Sequence, residues 1–571
     1  MVWSSDERYF FYLAEKKPAK TRSYFDQKPD DGIIPGNKYK YVEDWGEELN
    51  GYSKTVLVVF DVEEQEMKLV SYDGGEDRCI TCIVPDSKDP NAIYCILHYI
   101  RPFRVSLYGM LQRRSDLVKI DNWQGSRPKI TPIINGDDGI AVLDVTVSPN
   151  GGKLVWLQAP SGGPHNKAFE MWSCLTNDFE GTKSKIISDM PKQLFFRFQR
   201  VFLHKCWYDD DTVMFHSITK CRSLVRSVDL KDGSIDLVNI PNNDSLNSSY
   251  YLLDMNNGDL LVAETSLSMA PAFIFAKNLG GGIFSFKRLT PFSSSSNHLS
   301  SQIDWQLVPA TFENHDLEHI FAVPKVTESG RKVPLIIIPH GGPHNLMLSE
   351  FSYLYSGFVL CGYGILLINY PGSLGFDSCD QLPGKIGTLD LQSCQQAAVE
   401  TLAKFTDKLD KDNVFIFGGS HGGFLSLRLV AEFPDFYKAC ITRNPVCDFV
   451  QMVGVTDMPD WVFVECGLQP SLTGFINLHD ITKPEVLAKF NEQSPTRFAD
   501  KINCPILMLL GSKDRVVPIS QGLVLYRMLR QLKPKLPIEV LQYDCNHSLE
   551  SINVHADAFV NTIRFFDKYR K

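Results

Sequence analysis

The stretch Gly418-Gly419-Ser420-His421-Gly422 sets a serine between glycines, directly after the apolar run Val414–Phe417 and before a helical pattern that continues through Val430. Where a strand turns sharply into a helix, side chains two positions before and after the apex would collide with both elements. G-x-S-x-G in this setting therefore presents a serine hydroxyl for attack. Serine is a weak nucleophile at neutral pH and needs an imidazole to take its proton, with a carboxylate to fix the imidazole tautomer. Asp514, in Gly511-Ser-Lys-Asp514-Arg after the run Pro505–Leu510, and His547, in Asp544-Cys-Asn-His547 after Ile538–Tyr543, supply both in the chain order Ser, Asp, His. Each follows an apolar run, and the exits of such strands at the carboxyl edge are where open parallel sheets build their sites. Acyl transfer through Ser420, His547 and Asp514 is the chemistry these types and positions imply.

The tetrahedral intermediate of acyl transfer needs N–H donors aimed at its oxyanion. The backbone N–H of His421, next to the serine, is one. Gly342, in Pro339-His340-Gly341-Gly342-Pro343-His344 after Ile336–Ile338, is expected to give the other. His421 and His344 are poor rivals for the base, the first because its ring is directed away from the serine it adjoins, the second because it sits in the oxyanion loop. A similar Gly162-Gly163-Pro164-His165 has no buried strand and helix around it and reads as an ordinary turn.

The elements that must position these residues alternate. Short apolar runs at Pro334–Ile338, Gly364–Ile368, Val414–Phe417, Ala439–Ile441, Pro505–Leu510 and Ile538–Leu541 are separated by helical patterns, which implies a doubly wound, mostly parallel sheet. Phe559, Ile563 and Phe566 form one apolar stripe on the last helix. Before residue 290 the pattern is all-β, with a turn leading into a strand at Ser4–Phe11, Pro85–Tyr94, Ser148–Trp156, Trp207–Met214 and Asp254–Leu261. That recurrence is close to a four-stranded propeller blade, so a β-propeller of about five blades is expected, with an array of β-sandwiches as the alternative. The Ser-rich stretch Pro291–Ser301 reads as a linker, dividing the chain into 1–300 and 301–571.

Composition narrows the function classes. Fifty-eight Lys and Arg against 67 Asp and Glu give a net charge of -9 over 571 residues, which excludes the basic footprint of a nucleic-acid binder. No run approaches a membrane span, and the first residues lack a signal peptide, so a cytoplasmic location with reduced cysteines is expected. The 14 Cys show no dense disulfide framework. Cys79 and Cys82 point to opposite faces of a strand, as core residues rather than ligands. With no metal-ligand spacing, dinucleotide loop or phosphate cradle, no metal or cofactor is expected.

On His340-Gly-Gly-Pro-His344, Asn369-Tyr-Pro-Gly-Ser373-Leu-Gly375, Gly418–Phe424, Arg443-Asn-Pro-Val446, Thr456-Asp-Met-Pro-Asp-Trp461, Ser494-Pro-Thr-Arg497 and Gly511–Pro518, the second half resembles the serine hydrolases of the prolyl oligopeptidase family, most closely its acylaminoacyl-peptidase branch. Weaker similarity continues through Glu43-Asp-Trp45-Gly-Glu47 to the first residues. The resemblance implies a propeller that caps an α/β-hydrolase domain and admits short N-acylated peptides, whose blocked first residue is removed. It implies a substrate contact at Arg497 and leaves homo-oligomerisation open, since the family includes multimers. Trp461, Phe463 and Phe475 are candidate apolar walls of the pocket. Two positions depart from the pattern: Pro371 stands where the family has arginine, and Ser393 where it has an acidic residue. The family's chain also begins with a helix and further blades, so an incomplete propeller is expected here, from a truncated product or an incomplete gene model, with strand edges left unpaired. Asp44-Trp45-Gly46-Glu47-Glu48 supports a rival reading as a dipeptidyl aminopeptidase, because adjacent carboxylates attract an α-ammonium. A catalytically inactive scaffold is the alternative from another class.

Overall fold

Short polar side chains set up the strands of the first half by folding back onto their own turns. The Asp86 carboxylate accepts the N–H groups of Lys88 and Asp89 at 2.9 and 3.1 Å, just before strand Ala92–Tyr99. Asp209 does the same for Asp211 and Thr212 before Thr212–Thr219. The computed structural model describes all residues of the chain except 17–19, 27–32, 34, 71–76, 126, 188–201, 203–204, 241–246, 291–298, 326–330, 377 and 469–475.

Among the described residues, the first half forms five small antiparallel sheets, four of four strands and one of three. Each predicted turn-and-strand unit falls in a different sheet: the strands are Tyr9–Glu15, Ala92–Tyr99, Lys153–Pro160, Thr212–Thr219 and Asp259–Ser266. Consecutive sheets share apolar cores. Phe11 and Leu57 pack with Ile93 and Cys95, and Ile96 and Leu117 pack with Val145 and Trp156. Val155 and Met171 then pack with Val213 and Phe215, and Met214 and Val225 with Leu252 and Val262. An inner sheet is thus covered on both faces, which is blade stacking and not a set of two-sheet sandwiches. Among the described residues, no core cluster joins the fifth sheet to the first. The 14 cysteines are all free, and Cys79 is buried, as a core residue should be.

The second half is one eight-stranded sheet. Its elements are β1 (Ile303–Phe312), β2 (His315–Pro324), β3 (Val333–Pro339), α1 (Tyr353–Leu360), β4 (Gly364–Ile368), α2 (Leu389–Lys404), β5 (Leu409–Gly419), α3 (His421–Glu432), β6 (Cys440–Arg443), β7 (Ile506–Gly511), α4 (Ser520–Leu532), β8 (Ile538–Tyr543) and α5 (Ile552–Tyr569). The strand order is β1-β2-β4-β3-β5-β6-β7-β8, antiparallel up to the β2–β4 pair and parallel from β4 onward. Helices α2, α3 and α4 bury Cys394, Leu425 and Leu529 on one face, and α1 and α5 bury Phe358 and Phe566 on the other. Register sets Gly419, Arg443, Leu509 and Leu541 abreast, so the loops after β5 to β8 leave the same edge. The sequence pattern did not reveal the β1–β2 hairpin, because Asp304, Gln306, Pro309 and Thr311 interrupt any apolar run. Most of the Ser-rich stretch, residues 291–298, lies outside the described residues.

Candidate active site

Ser420 sits between β5 and α3 with φ of +56°, a left-handed conformation that costs a non-glycine residue energy and is held by the elements on either side. The two flanking glycines are required in a measurable way. A Cβ on Gly418 would lie 2.1 Å from the Gly422 carbonyl oxygen, and one on Gly422 would lie 2.3 Å from that of Pro339. The Ser420 N–H is held by the Arg443 carbonyl at 2.9 Å. Its hydroxyl is half-buried and makes no hydrogen bond among the described residues, so no link from serine to histidine is closed in this conformation.

His547 and Asp514 are paired. The imidazole Nδ1–H donates to Asp514 Oδ2 at 2.6 Å, and the other carboxylate oxygen accepts the Val517 N–H at 2.7 Å. Burial works against an imidazolium at 547, but the Asp514 charge and hydrogen bond outweigh it and raise the pKa above the ordinary 6.5. Strand β8 lies three strands from β5, roughly 14 Å at ~4.8 Å per strand, so the histidine loop must reach back across the sheet. Asn444, after β6, holds it there: its amide donates to the His547 carbonyl at 2.8 Å, while its side-chain oxygen accepts the Gly511 N–H at 2.7 Å.

The first half braces the same loops. Buried Glu47 accepts the N–H of His547 at 2.6 Å with one oxygen and that of Arg515 at 2.7 Å with the other. Burial, with the nearby Asp514 charge, raises the Glu47 pKa. Asp44 forms a two-pronged pair with Arg515 at 2.8 and 3.0 Å, and Glu48 accepts from Asn546 at 2.6 Å. The acidic cluster that could have gripped an α-ammonium is therefore committed to the aspartate and histidine loops. Sequence reasoning missed this role, since Glu47 and His547 stand 500 positions apart.

The loop after β3 approaches the elbow through Gly341: a Cβ there would lie 3.1 Å from the Gly419 carbonyl oxygen and 3.3 Å from the Ser420 Cβ. The Gly342 carbonyl accepts the Trp461 indole N–H at 3.1 Å, which turns the peptide and fixes the loop. Among the described residues, the backbone N–H groups of Gly342 and His421 have no acceptor, the latter because it opens α3. The His421 ring is fully buried against Asp390, Nε2 to Oδ2 at 2.9 Å, away from the serine as expected.

Other sequence readings fare differently. Arg497 is exposed, and its side chain makes no hydrogen bond or ion pair among the described residues. Ser393, on α2, is buried, and its hydroxyl has no hydrogen-bond partner among the described residues. Trp461 stacks on Phe449 and Phe463 meets Phe490, both buried; Phe475 lies outside the described residues. His165, read as part of an ordinary turn, does lie in an irregular loop, but that loop carries it to His344 and Glu465, with ring centroids of the two histidines 5.1 Å apart. No local spacing signals a cluster spread over 300 positions.

Known proteins resemble this chain in sequence and in fold. Residues 350–571 match the model of the prolyl oligopeptidase family. The chain is 29% identical to the acylamino-acid-releasing enzyme of Sus scrofa over 612 aligned positions, covering 99% of this chain and 78% of that protein. Its fold matches an acylaminoacyl peptidase from Pyrococcus horikoshii with a TM-score of 0.75 at 15% identity, covering 100% of this chain and 81% of that one. It also matches dipeptidyl peptidase 4 of Porphyromonas gingivalis with a TM-score of 0.65 at 16% identity, covering 99% and 74%. The chain thus joins a β-propeller part to an α/β-hydrolase sheet, and residues 350–571 are a domain of the prolyl oligopeptidase family of serine peptidases.

Proposed function

We propose that the chain is an exopeptidase that releases an N-acylated amino acid, typically acetylated, from the blocked end of short peptides. The observation that carries this reading is the near full-length similarity to acylamino-acid-releasing enzymes, together with a strained serine, a paired histidine and aspartate, and free N–H groups at one sheet edge. In the reaction, the Ser420 hydroxyl attacks the carbonyl carbon of the blocked residue while His547 Nε2 takes its proton. Asp514 holds Nδ1–H and stabilises the cation, and the N–H groups of His421 and Gly342 receive the oxyanion. Collapse of the intermediate passes the proton to the leaving amine and leaves the acylated residue on Ser420. Water, activated by the same histidine, hydrolyses that ester. Arg497, exposed to solvent, is proposed as a substrate contact outside these proton transfers.

The domain division at 300/301 belongs to the same proposal. Strand β1 starts at Ile303, and the propeller loops meet the hydrolase loops around the serine, a position from which they would restrict entry to short peptides. The dipeptidyl reading loses its motivation once Asp44, Glu47 and Glu48 are bonded to Arg515, His547 and Asn546. Turnover of an acetyl-alanyl chromogenic substrate, set against a free-amino dipeptidyl one, tests the assignment. A kcat/KM at least tenfold higher for the acetylated substrate is expected, and preference for the free amine would overturn it.

A further inference from the structure

Helix Pro459–Glu465 ends on a carboxylate that is fully buried, with neither oxygen hydrogen-bonded among the described residues. Burying such a charge is costly unless a cation or donors meet it. Two imidazoles converge on it. His344 Nε2 lies 3.3 Å from Glu465 Oε1, and His165 Nδ1 lies 3.6 Å from the same oxygen. Neither nitrogen makes a hydrogen bond. His344 comes from the loop that carries Gly342, His165 from a propeller loop, and Glu465 from the segment after β6, so three distant parts of the chain meet at one buried point.

The orientation of His344 bears on what fills that point. Its Nδ1 faces the Gly372 carbonyl at 2.9 Å and donates to it. That bond leaves Nε2 facing Glu465, where a lone pair would oppose a carboxylate unless a proton or a metal ion lies between. A carbonyl partner on the far nitrogen is also the arrangement that fixes metal-ligating histidines.

We propose that His165, His344 and Glu465 form a binding site for a divalent cation of the zinc class. The three ligand atoms lie within 4.8 Å of one another. The two distances to Glu465, 3.3 and 3.6 Å, are close to the ~3.3 Å edge of a tetrahedron with bonds of roughly 2.0–2.1 Å. Two imidazoles and one carboxylate, with a fourth position open, suit zinc better than magnesium or calcium, which take oxygen ligands. Full burial separates the cation from substrate, so its role is to fasten the propeller loop to the oxyanion loop. The Asn166 amide already bonds the His344 carbonyl at 3.1 Å along the same seam. The inference does not depend on the peptidase reading, since it is tested by metal content.

The test uses the full chain, stripped with chelator and titrated with Zn²⁺ and with Co²⁺, whose visible d–d absorption reports tetrahedral coordination. One tightly bound equivalent is expected. His165→Asn and Glu465→Gln should weaken binding by more than the ~10–100-fold that loss of an outer hydrogen-bond partner costs. His547→Ala, which breaks a different histidine–carboxylate pair, should leave binding unchanged. Absence of stoichiometric binding to the wild-type chain overturns the proposal whatever the variants do, as does wild-type affinity in both His165→Asn and Glu465→Gln, or loss of binding in His547→Ala alone.

Discussion

Asp514 acts on His547 in two ways, by hydrogen bond and by charge, and both have a sign in pH. Because the carboxylate raises the imidazole pKa, the acid limb of kcat/KM should have its midpoint above 6.5, with activity lost below it as the base is protonated. Asp514→Asn removes the raising influence and leaves burial, so the limb should move to lower pH while kcat falls by roughly 10⁴-fold. The same pairing contributes stability that is fully present below pH 6.5 and lost as pH rises through the folded value. Asp514→Asn should therefore lower the unfolding midpoint more at acid than at alkaline pH. The places of Ser420, Asp514 and His547 at one sheet edge were legible because each follows a recognisable strand. Asn444 and Glu47 were not: an asparagine after a strand and a glutamate in an acidic turn have many ordinary uses. Only the folded chain shows them gripping the histidine loop at 2.8 and 2.6 Å.

Strand β5, the elbow and α3 form the element on which the serine depends, and the tolerance there is small. Gly422→Ala would drive a methyl to 2.3 Å from the Pro339 carbonyl oxygen, an atom of the neighbouring strand β3 that cannot move cheaply. The substitution should cost at least the ~1–3 kcal/mol typical of overpacking and displace the hydroxyl. Thermal unfolding and active-site labelling should both fall in the variant; a stable, fully active protein would show that the elbow is looser than its contacts. The parallel strands β3 to β8 could be read from their apolar runs because both faces are covered by helices, leaving no polar alternation to confuse them. The hairpin β1–β2 escaped because one strand is interrupted by Asp304, Gln306, Pro309 and Thr311, and its pairing depends on a sheet that forms later in the chain. The five blades were legible as turns rather than strands: Asp86 and Asp209 announce them through their side chains' claims on following N–H groups.

At the scale of the molecule, the propeller is mechanically part of the site. Glu47 holds His547 and Arg515, Arg113 pairs with Asp460, and Asp457 accepts the Glu47 N–H at 2.7 Å. Glu47→Gln keeps the shape but has one acceptor oxygen for two backbone donors. A buried N–H left unpaired costs about 1–3 kcal/mol. Appearing as misplacement of the histidine loop, that cost should reduce kcat by about tenfold or more with little change in KM, since 1.36 kcal/mol is a factor of ten in rate. An equal rise in KM would place Glu47 on the substrate instead. These long-range braces, like the His165–His344–Glu465 cluster, are beyond sequence reading for one reason: they pair residues from different folding units, and no periodicity or spacing within either unit encodes the partner.

Reaction of the wild-type chain with a fluorophosphonate, followed by mass spectrometry of the adduct, tests the proposed nucleophile most directly. A single phosphonyl group on Ser420, formed at a rate that falls by orders of magnitude in His547→Ala and that is absent in Ser420→Ala, is the predicted result. A folded protein that takes up no label, or an adduct on another residue that persists in Ser420→Ala, would contradict it.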